Sequence, residues 1–150
     1  MTFRQLRDLI RFYFFVHNME KRLEHRNIRP TAMRIIVLRQ LVESGTAVSL
    51  KDLESKIERA DRATLFRTLK TFEENKLIHS IDAGTGSVKY ALCEEACLCN
   101  TKDQHVHFHC TKCDETFCLT QSKIPEIHIP KGFQVDSGNM VYKGICPNCK

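Results

Sequence analysis

His105-Val106-His107-Phe108-His109-Cys110-Thr111-Lys112-Cys113 carries three alternating histidines that run straight into a Cys-x-x-Cys pair. Read as a strand, the stretch turns successive side chains to opposite faces, so His105, His107 and His109 share one face. The two cysteines then fall in a tight turn at the strand's end. A second pair, Cys146-Pro147-Asn148-Cys149, lies at the other end of the same half. Two Cys-x-x-Cys pairs make a four-thiolate tetrahedral zinc site, the closed type that is structural rather than catalytic. Cys110, Cys113, Cys146 and Cys149 are its expected ligands. The histidines are surplus to that site and ask for a second one.

Around this stretch the pattern reads as a small α/β unit. Strand candidates are His105–Cys110, Glu115–Thr120, Phe133–Asp136 and Met140–Ile145. Pro125 and Pro130 limit any helix between them to a turn or two. A unit spanning 105–150 has too small a core to stand alone, so a zinc cross-link and a partner chain must supply what it lacks. It reads as a dimerisation and metal-binding domain. Residues 93–104 are polar, cysteine-bearing and without a period, and read as a hinge.

The first half has a different grammar. Thr31 can cap a helix whose buried face is Ile35, Ile36, Leu38, Leu41 and Val42, ended by Gly45. Ser49-Leu50-Lys51-Asp52 resembles a capping box and opens a helix with Leu53 and Ile57 inside. Asp61 caps a further helix from Arg62 to about Asn75, with Leu65, Leu69 and Phe72 on one face. Three helices with short turns, the last one basic, suit a helix-turn-helix. Ile78–Ile81 and Ser87–Leu92 then flank Ala83-Gly84-Thr85-Gly86, which predicts a hairpin, the wing of a winged helix. The expected organisation is an extension over 1–18, a winged-helix DNA-binding domain over 19–92, the hinge, and the small α/β dimerisation domain over 105–150. Within the extension, Phe3, Leu6, Leu9, Ile10 and Tyr13 have roughly helical spacing, and a separate short polar helix is expected from Glu20 to Arg26.

Charge supports this division. The net charge is +5, with 16 lysines and arginines against 11 acids in residues 1–82 and 7 of each from 83 onward. A basic half suits a polyanion, and a neutral half something else. No apolar run reaches the ~20 residues of a membrane span. The run Phe12–Val16 after Arg4, Arg7 and Arg11 is too short for a signal peptide and lacks a cleavage site. Paired Cys-x-x-Cys beside histidines argues for metal in a reducing compartment, so a cytoplasmic protein is expected.

From about Met19 to Lys150 the chain resembles the ferric uptake regulator family of bacterial metal-sensing repressors. The resemblance is carried by Arg29-Pro30-Thr31-Ala32-Met33-Arg34, by Ala63-Thr64-Leu65-Phe66-Arg67-Thr68-Leu69, by the His-x-His-x-x-Cys-x-x-Cys run from His105 and by the final cysteine pair. It implies a homodimer with a winged-helix DNA-binding domain and an α/β dimerisation domain holding structural zinc. It is closest to the zinc uptake regulator branch. Tyr90-Ala91-Leu92-Cys93 is similar to the segment where zinc sensors place a regulatory cysteine. Iron sensors typically carry a glutamate where Ala91 stands, and an early histidine where Ala47 stands. His79 falls where zinc sensors put a ligand. A further site of many members is lost here, its positions being Gln104, Val106, the neighbourhood of Pro125–Glu126, and Gly138.

The resemblance thus implies a regulatory site of His79, Cys93, His105 and His107, tying wing to dimerisation strand. Three imidazoles and one thiolate suit zinc. Cys97 and Cys99 are alternative thiol sources; they and Cys118 otherwise read as incidental thiols, and His109 as outside the ligand set. For DNA, Arg62 and Thr64 would face the major groove with Arg67 one turn on, since arginine pairs bidentately with guanine. Phe66 replaces a usual family tyrosine, and Arg29 matches a basic residue that approaches the minor groove. Arg34 reads as an anchor for the helix or a phosphate. The expected partner is a palindromic double-stranded operator, and the expected function is zinc-responsive repression of zinc uptake genes. Alternatives are an iron, manganese or peroxide sensor of the same family and, remotely, a thiol oxidoreductase or zinc enzyme. No nucleophile with a paired base is legible, nor an open zinc site beside a carboxylate base.

Overall fold

A computed structural model describes residues 3–94, 105–136 and 138–150. Four helices and a three-stranded sheet come first: α1 (Phe3–His25), α2 (Ala32–Ser44), β1 (Val48–Ser49), α3 (Leu50–Lys56), α4 (Arg62–Glu74), β2 (Ile78–Asp82) and β3 (Val88–Leu92). A second three-stranded sheet follows: β4 (His105–Cys110), β5 (Thr116–Lys123) and β6 (Val141–Gly144), with a 3-10 turn over Pro147–Cys149. The result is a winged helix-turn-helix followed by a small, mostly β unit.

The caps set the helix starts. The Thr31 side chain accepts from the Arg34 N–H, and Asp61 from the Thr64 N–H. At α3, Ser49 accepts from Asp52 N while the Asp52 carboxylate accepts from Ser49 N, a full capping box. Gly45 stops α2 with φ 66°, a left-handed conformation that a side chain disfavours. One core joins these helices to the wing: Leu23, Ile28, Leu38, Leu53, Leu65, Leu69 and Phe72 are fully buried, with Tyr90 of β3 at its edge. On α2 the buried stripe is Val37, Leu38 and Leu41; Ile36 is exposed, because it points about 100° away from Val37.

Two further differences from the sequence reading have simple causes. The boundary at 18/19 falls inside α1, a single 23-residue helix rather than an extension plus a separate Glu20–Arg26 helix. No proline or glycine interrupts it, and Phe15, Met19 and Leu23 continue one stripe onto the core. The candidate strand Phe133–Asp136 forms no strand. Both edges of β4 are already taken, so this segment serves the crossover that brings β6 parallel to β4. Residues 95–104, most of the expected hinge, lie outside the described residues.

The first sheet has the order β1-β3-β2, with His79 opposite Ala91. The second has the order β5-β4-β6, with His107 opposite Cys118 and a register shift at His105/Val106. Its described apolar interior is only Val106 with Cys110 and Cys146. A single antiparallel bridge, Ala47 N–H to the Thr116 carbonyl at 2.9 Å, ties the sheets together.

Candidate metal centre

Two clusters of metal-ligating side chains stand out among the described residues. In the first, one ligand atom each from Cys110, Cys113, Cys146 and Cys149 lies within 4.8 Å of all the others. The turn after β4 places Cys110 and Cys113, and the 3-10 turn after β6 places the other two. The Cys113 and Cys146 sulfurs are 3.9 Å apart, close to the ~3.8 Å edge of a tetrahedron of thiolates around zinc at ~2.3 Å. Backbone N–H groups aim at this cluster. Those of Cys113, Cys146 and Lys112 pull the Cys110 thiol down to about 6. Hydrogen bonding with Cys146, then burial, pushes Cys149 up to about 12. A cation is what lets all four ionise together.

The second cluster joins the wing to the second sheet. It contains His79 of β2, His105 and His107 of β4, and Cys118 of β5, again with ligand atoms all within 4.8 Å. His79 Nε2 is 3.1 Å from His107 Nε2 and 3.6 Å from the Cys118 sulfur. Tetrahedral zinc would set these edges at ~3.3 Å and ~3.6 Å. His105 Nε2 is buried with no hydrogen-bond partner, which is how a ligand atom looks before its ion arrives. Burial, then the neighbouring imidazoles, push His79 down to about 4. Burial and His105 do the same to His107, also to about 4. Burial alone raises Cys118 to about 11. His79 and His107 are therefore neutral and ready to donate, and the Cys118 thiol must lose a proton to bind.

Of the expected regulatory residues, His79, His105 and His107 come together, while Cys93 takes a different place from the one assigned to it. Its sulfur lies 3.4 Å from His79 Nδ1, the ring nitrogen turned away from the cluster. The thiol on the cluster side belongs to Cys118, which the sequence reading took as incidental. A signal for it did exist: β4 and β5 form a hairpin around the Cys110–Cys113 turn, and His107 and Cys118 are equidistant from its centre. Cys97 and Cys99 lie outside the described residues. His109 stands apart from both clusters, bonding Thr116 Oγ1 through Nδ1 at 3.0 Å.

The expected DNA residues sit on the outer face of α4 and before α2. Arg62, Phe66 and Arg67 are exposed, as is Arg29. Arg62 pairs with Glu54, and Arg67 donates to Thr64 Oγ1 at 3.2 Å. The Thr64 hydroxyl itself donates to Asp61 at 2.6 Å. Arg34 donates to the Arg29 carbonyl at 2.8 Å, anchoring the turn before α2.

A winged helix-turn-helix whose wing meets a small β unit at an imidazole and thiol cluster, with four further cysteines clustered in that unit, points to a class, the metal-binding winged-helix regulators. The sequence profile described as "Ferric uptake regulator family" matches residues 25–142. The chain belongs to the ferric uptake regulator family, and is a metal-dependent transcriptional regulator rather than an enzyme. It is 25% identical to the ferric uptake regulation protein of Campylobacter jejuni, over 93% of this chain and 91% of that one. Its fold is similar to that of a zinc uptake regulator complexed with zinc and DNA (TM-score 0.63, 21% identity, covering 89% of this chain and 91% of that one). A zinc-bound manganese uptake regulator also shares it (TM-score 0.56, 20% identity, 85% and 98%).

Proposed function

We propose that the protein is a homodimeric, zinc-responsive repressor that controls genes for zinc uptake. The observation that carries this reading is the His79–His105–His107–Cys118 cluster, whose nitrogen and sulfur donors have tetrahedral spacing and include no carboxylate. Such a donor set suits zinc better than ions that favour oxygen. Bound there, zinc would supply coordinate bonds linking the wing to the second sheet. Cys110, Cys113, Cys146 and Cys149 hold the structural ion. With Nε2 on the ion, the His79 Nδ1–H would donate to the Cys93 sulfur 3.4 Å away, which would hold the ring so that Nε2 faces the cluster, the usual role of a partner behind a metal-binding histidine.

The DNA-binding unit, taken as residues 19–92, presents α4 to the major groove through Arg62, Thr64, Phe66 and Arg67, with Arg29 beside the minor groove. The second unit, 105–150, pairs with a second copy. Phe133, Val135, Tyr142 and Ile145 are exposed apolar residues on it, and a second subunit would cover them. Two recognition helices held by a dimer match a palindromic operator. The link between zinc and DNA is differential: His79, on the wing, meets His105, His107 and Cys118 only in the closed arrangement, so an ion held by all four favours that arrangement.

The test is zinc content per chain and operator binding before and after mild chelation. Two zinc ions, one readily removed with loss of operator binding and restored by zinc alone, is the expected result. Restoration by iron or manganese but not by zinc would overturn the assignment of the metal and leave the family intact.

A further inference from the structure

The joint between the two units is poor in apolar contact. Among the described residues, the buried Ala47, Ile81 and Ala91 pack there against the partly buried Cys118 and Val141. A cavity of about 230 Å³ lined by Leu41, Ala47, Ala91, Phe117 and Cys118 remains in the same place. Units joined by so small an apolar contact swing freely unless polar contacts hold them.

Two residues along the wing strand from Ala91, at Lys89, the structure has such a contact. The Lys89 side chain on β3 is only 7% exposed, and its ammonium reaches across the joint to Asp114. It donates to the Asp114 carbonyl and, at 3.0 Å, to Oδ2. The other carboxylate oxygen of Asp114 lies 3.5 Å from His109 Nε2. His109 in turn bonds Thr116, whose carbonyl holds the Ala47 N–H. The polar chain thus leaves the first unit at Lys89 and returns to it at Ala47.

Asp114 is placed by the cysteine turn and not by the joint. It directly follows Cys113, has φ 63°, and its N–H bonds the Cys110 carbonyl at 3.0 Å. The wing therefore grips the turn that carries two ligands of the four-cysteine centre. Burying an ammonium is costly unless it is paired and hydrogen-bonded. Every hydrogen bond described for this one goes to the opposite unit. An apolar side chain of similar length would fill the same space without that cost, so the charge has a task that packing does not explain.

We propose that Lys89 and Asp114 are positioning residues for operator binding: the buried lysine of the wing clasps the cysteine turn and fixes the point at which the two units meet. The clasp acts independently of the His79 cluster, as a fixed pivot beside which that cluster opens and closes. Only its consequence for DNA rests on the function proposed above.

The test uses the full-length metal-loaded protein and the variants Lys89→Met, Lys89→Arg and Asp114→Asn. Asparagine keeps the side chain's size and tolerates positive φ. Hydrogen exchange of the Ala47 amide reads the joint directly, and exchange over Leu65–Phe72 reads the core. Lys89→Met and Asp114→Asn should each speed Ala47 exchange and weaken operator binding about tenfold or more, the size of a lost charged hydrogen bond. Core protection and zinc content should stay as in the wild type, and Lys89→Arg should behave nearly as the wild type. Unchanged Ala47 exchange in folded Asp114→Asn and Lys89→Met would overturn the clasp. If Lys89→Met loses core protection, Asp114→Asn alone decides. If the wild type itself ignores the operator, the DNA reading fails while the exchange result still judges the clasp.

Discussion

At the scale of single residues, His79 organises the centre because its two nitrogens meet two different thiols. Cys118 lies on the Nε2 side with His107, and Cys93 on the Nδ1 side. The roles this implies differ in strength. Cys118→Ser should weaken the removable zinc by more than about 100-fold, as losing a ligand does, and Cys93→Ser by about 10–100-fold, as losing a partner behind a ligand does. Competition with a zinc-chelating dye measures both; the reverse order would return the ligand role to Cys93. Protonation gives an independent handle. At pH 7 His79 and His107, pushed down to about 4, hold no proton to displace, whereas Cys118, pushed up to about 11, does. Loading the removable site should therefore release the Cys118 thiol proton, and above neutral pH affinity should rise about tenfold per pH unit until that thiol ionises. Calorimetry in buffers of different ionisation enthalpy counts that proton. In the metal-free protein the same two imidazoles have a folded pKa below their ordinary 6.5. The unfolded chain then binds more protons between pH 6.5 and about 4. Stability should be flat above that window and fall as pH is lowered through it, which thermal melts across the range record.

At the scale of elements, α4 shows how the reading surface is held. Leu65, Leu69 and Phe72 are fully buried on one side, and Arg62, Phe66 and Arg67 are exposed on the other. Phe72→Ala should cost about 3–5 kcal/mol, a large share of a small domain's stability. Ser49→Ala, which removes one half of the α3 capping box, should cost about 1 kcal/mol. Chemical denaturation followed by circular dichroism separates the two. Capping residues are local signals, and Thr31, Ser49 and Asp61 all cap in the structure as their spacing predicts. Facing is less local. Ile36 and Val37 are neighbours of equal apolarity, and only the position of α4 and the wing decides that Val37 goes inside. The α1 boundary shows the same limit in another form. Met19-Glu20-Lys21 looks like the start of a new segment, yet the helix continues because the Phe15–Met19–Leu23 stripe still has a core to face.

At the scale of the whole molecule, the excess of positive charge lies in residues 1–82, the part that includes the helix-turn-helix and the first strand of the wing hairpin. Operator affinity should fall by more than about 100-fold between 50 and 200 mM salt, because binding to phosphates releases condensed counterions. Fluorescence anisotropy with a labelled operator follows it, and a flat salt response would remove α4 and Arg29 as the phosphate-facing surface. The second unit, by contrast, has almost no apolar interior of its own among its described residues. Under the proposed function, an ion on the four clustered cysteines and a second subunit would supply what that interior lacks.

The sequence by itself determined what is written in local spacing. It determined the capped helices, the glycine-turned wing and the paired Cys-x-x-Cys centre, because caps, turns and close ligand pairs depend on residues only a few positions apart. It also singled out His79, His105 and His107, whose ligand atoms the structure brings within 4.8 Å of one another. Only the tertiary structure brought Cys118 beside them and showed what ties the units together. Cys118 enters through strand pairing across a hairpin, and Lys89 meets Asp114 across a separation of 25 residues. The first needs the exact register of one hairpin and the second the way two sheets sit against each other, and no local spacing rule fixes either.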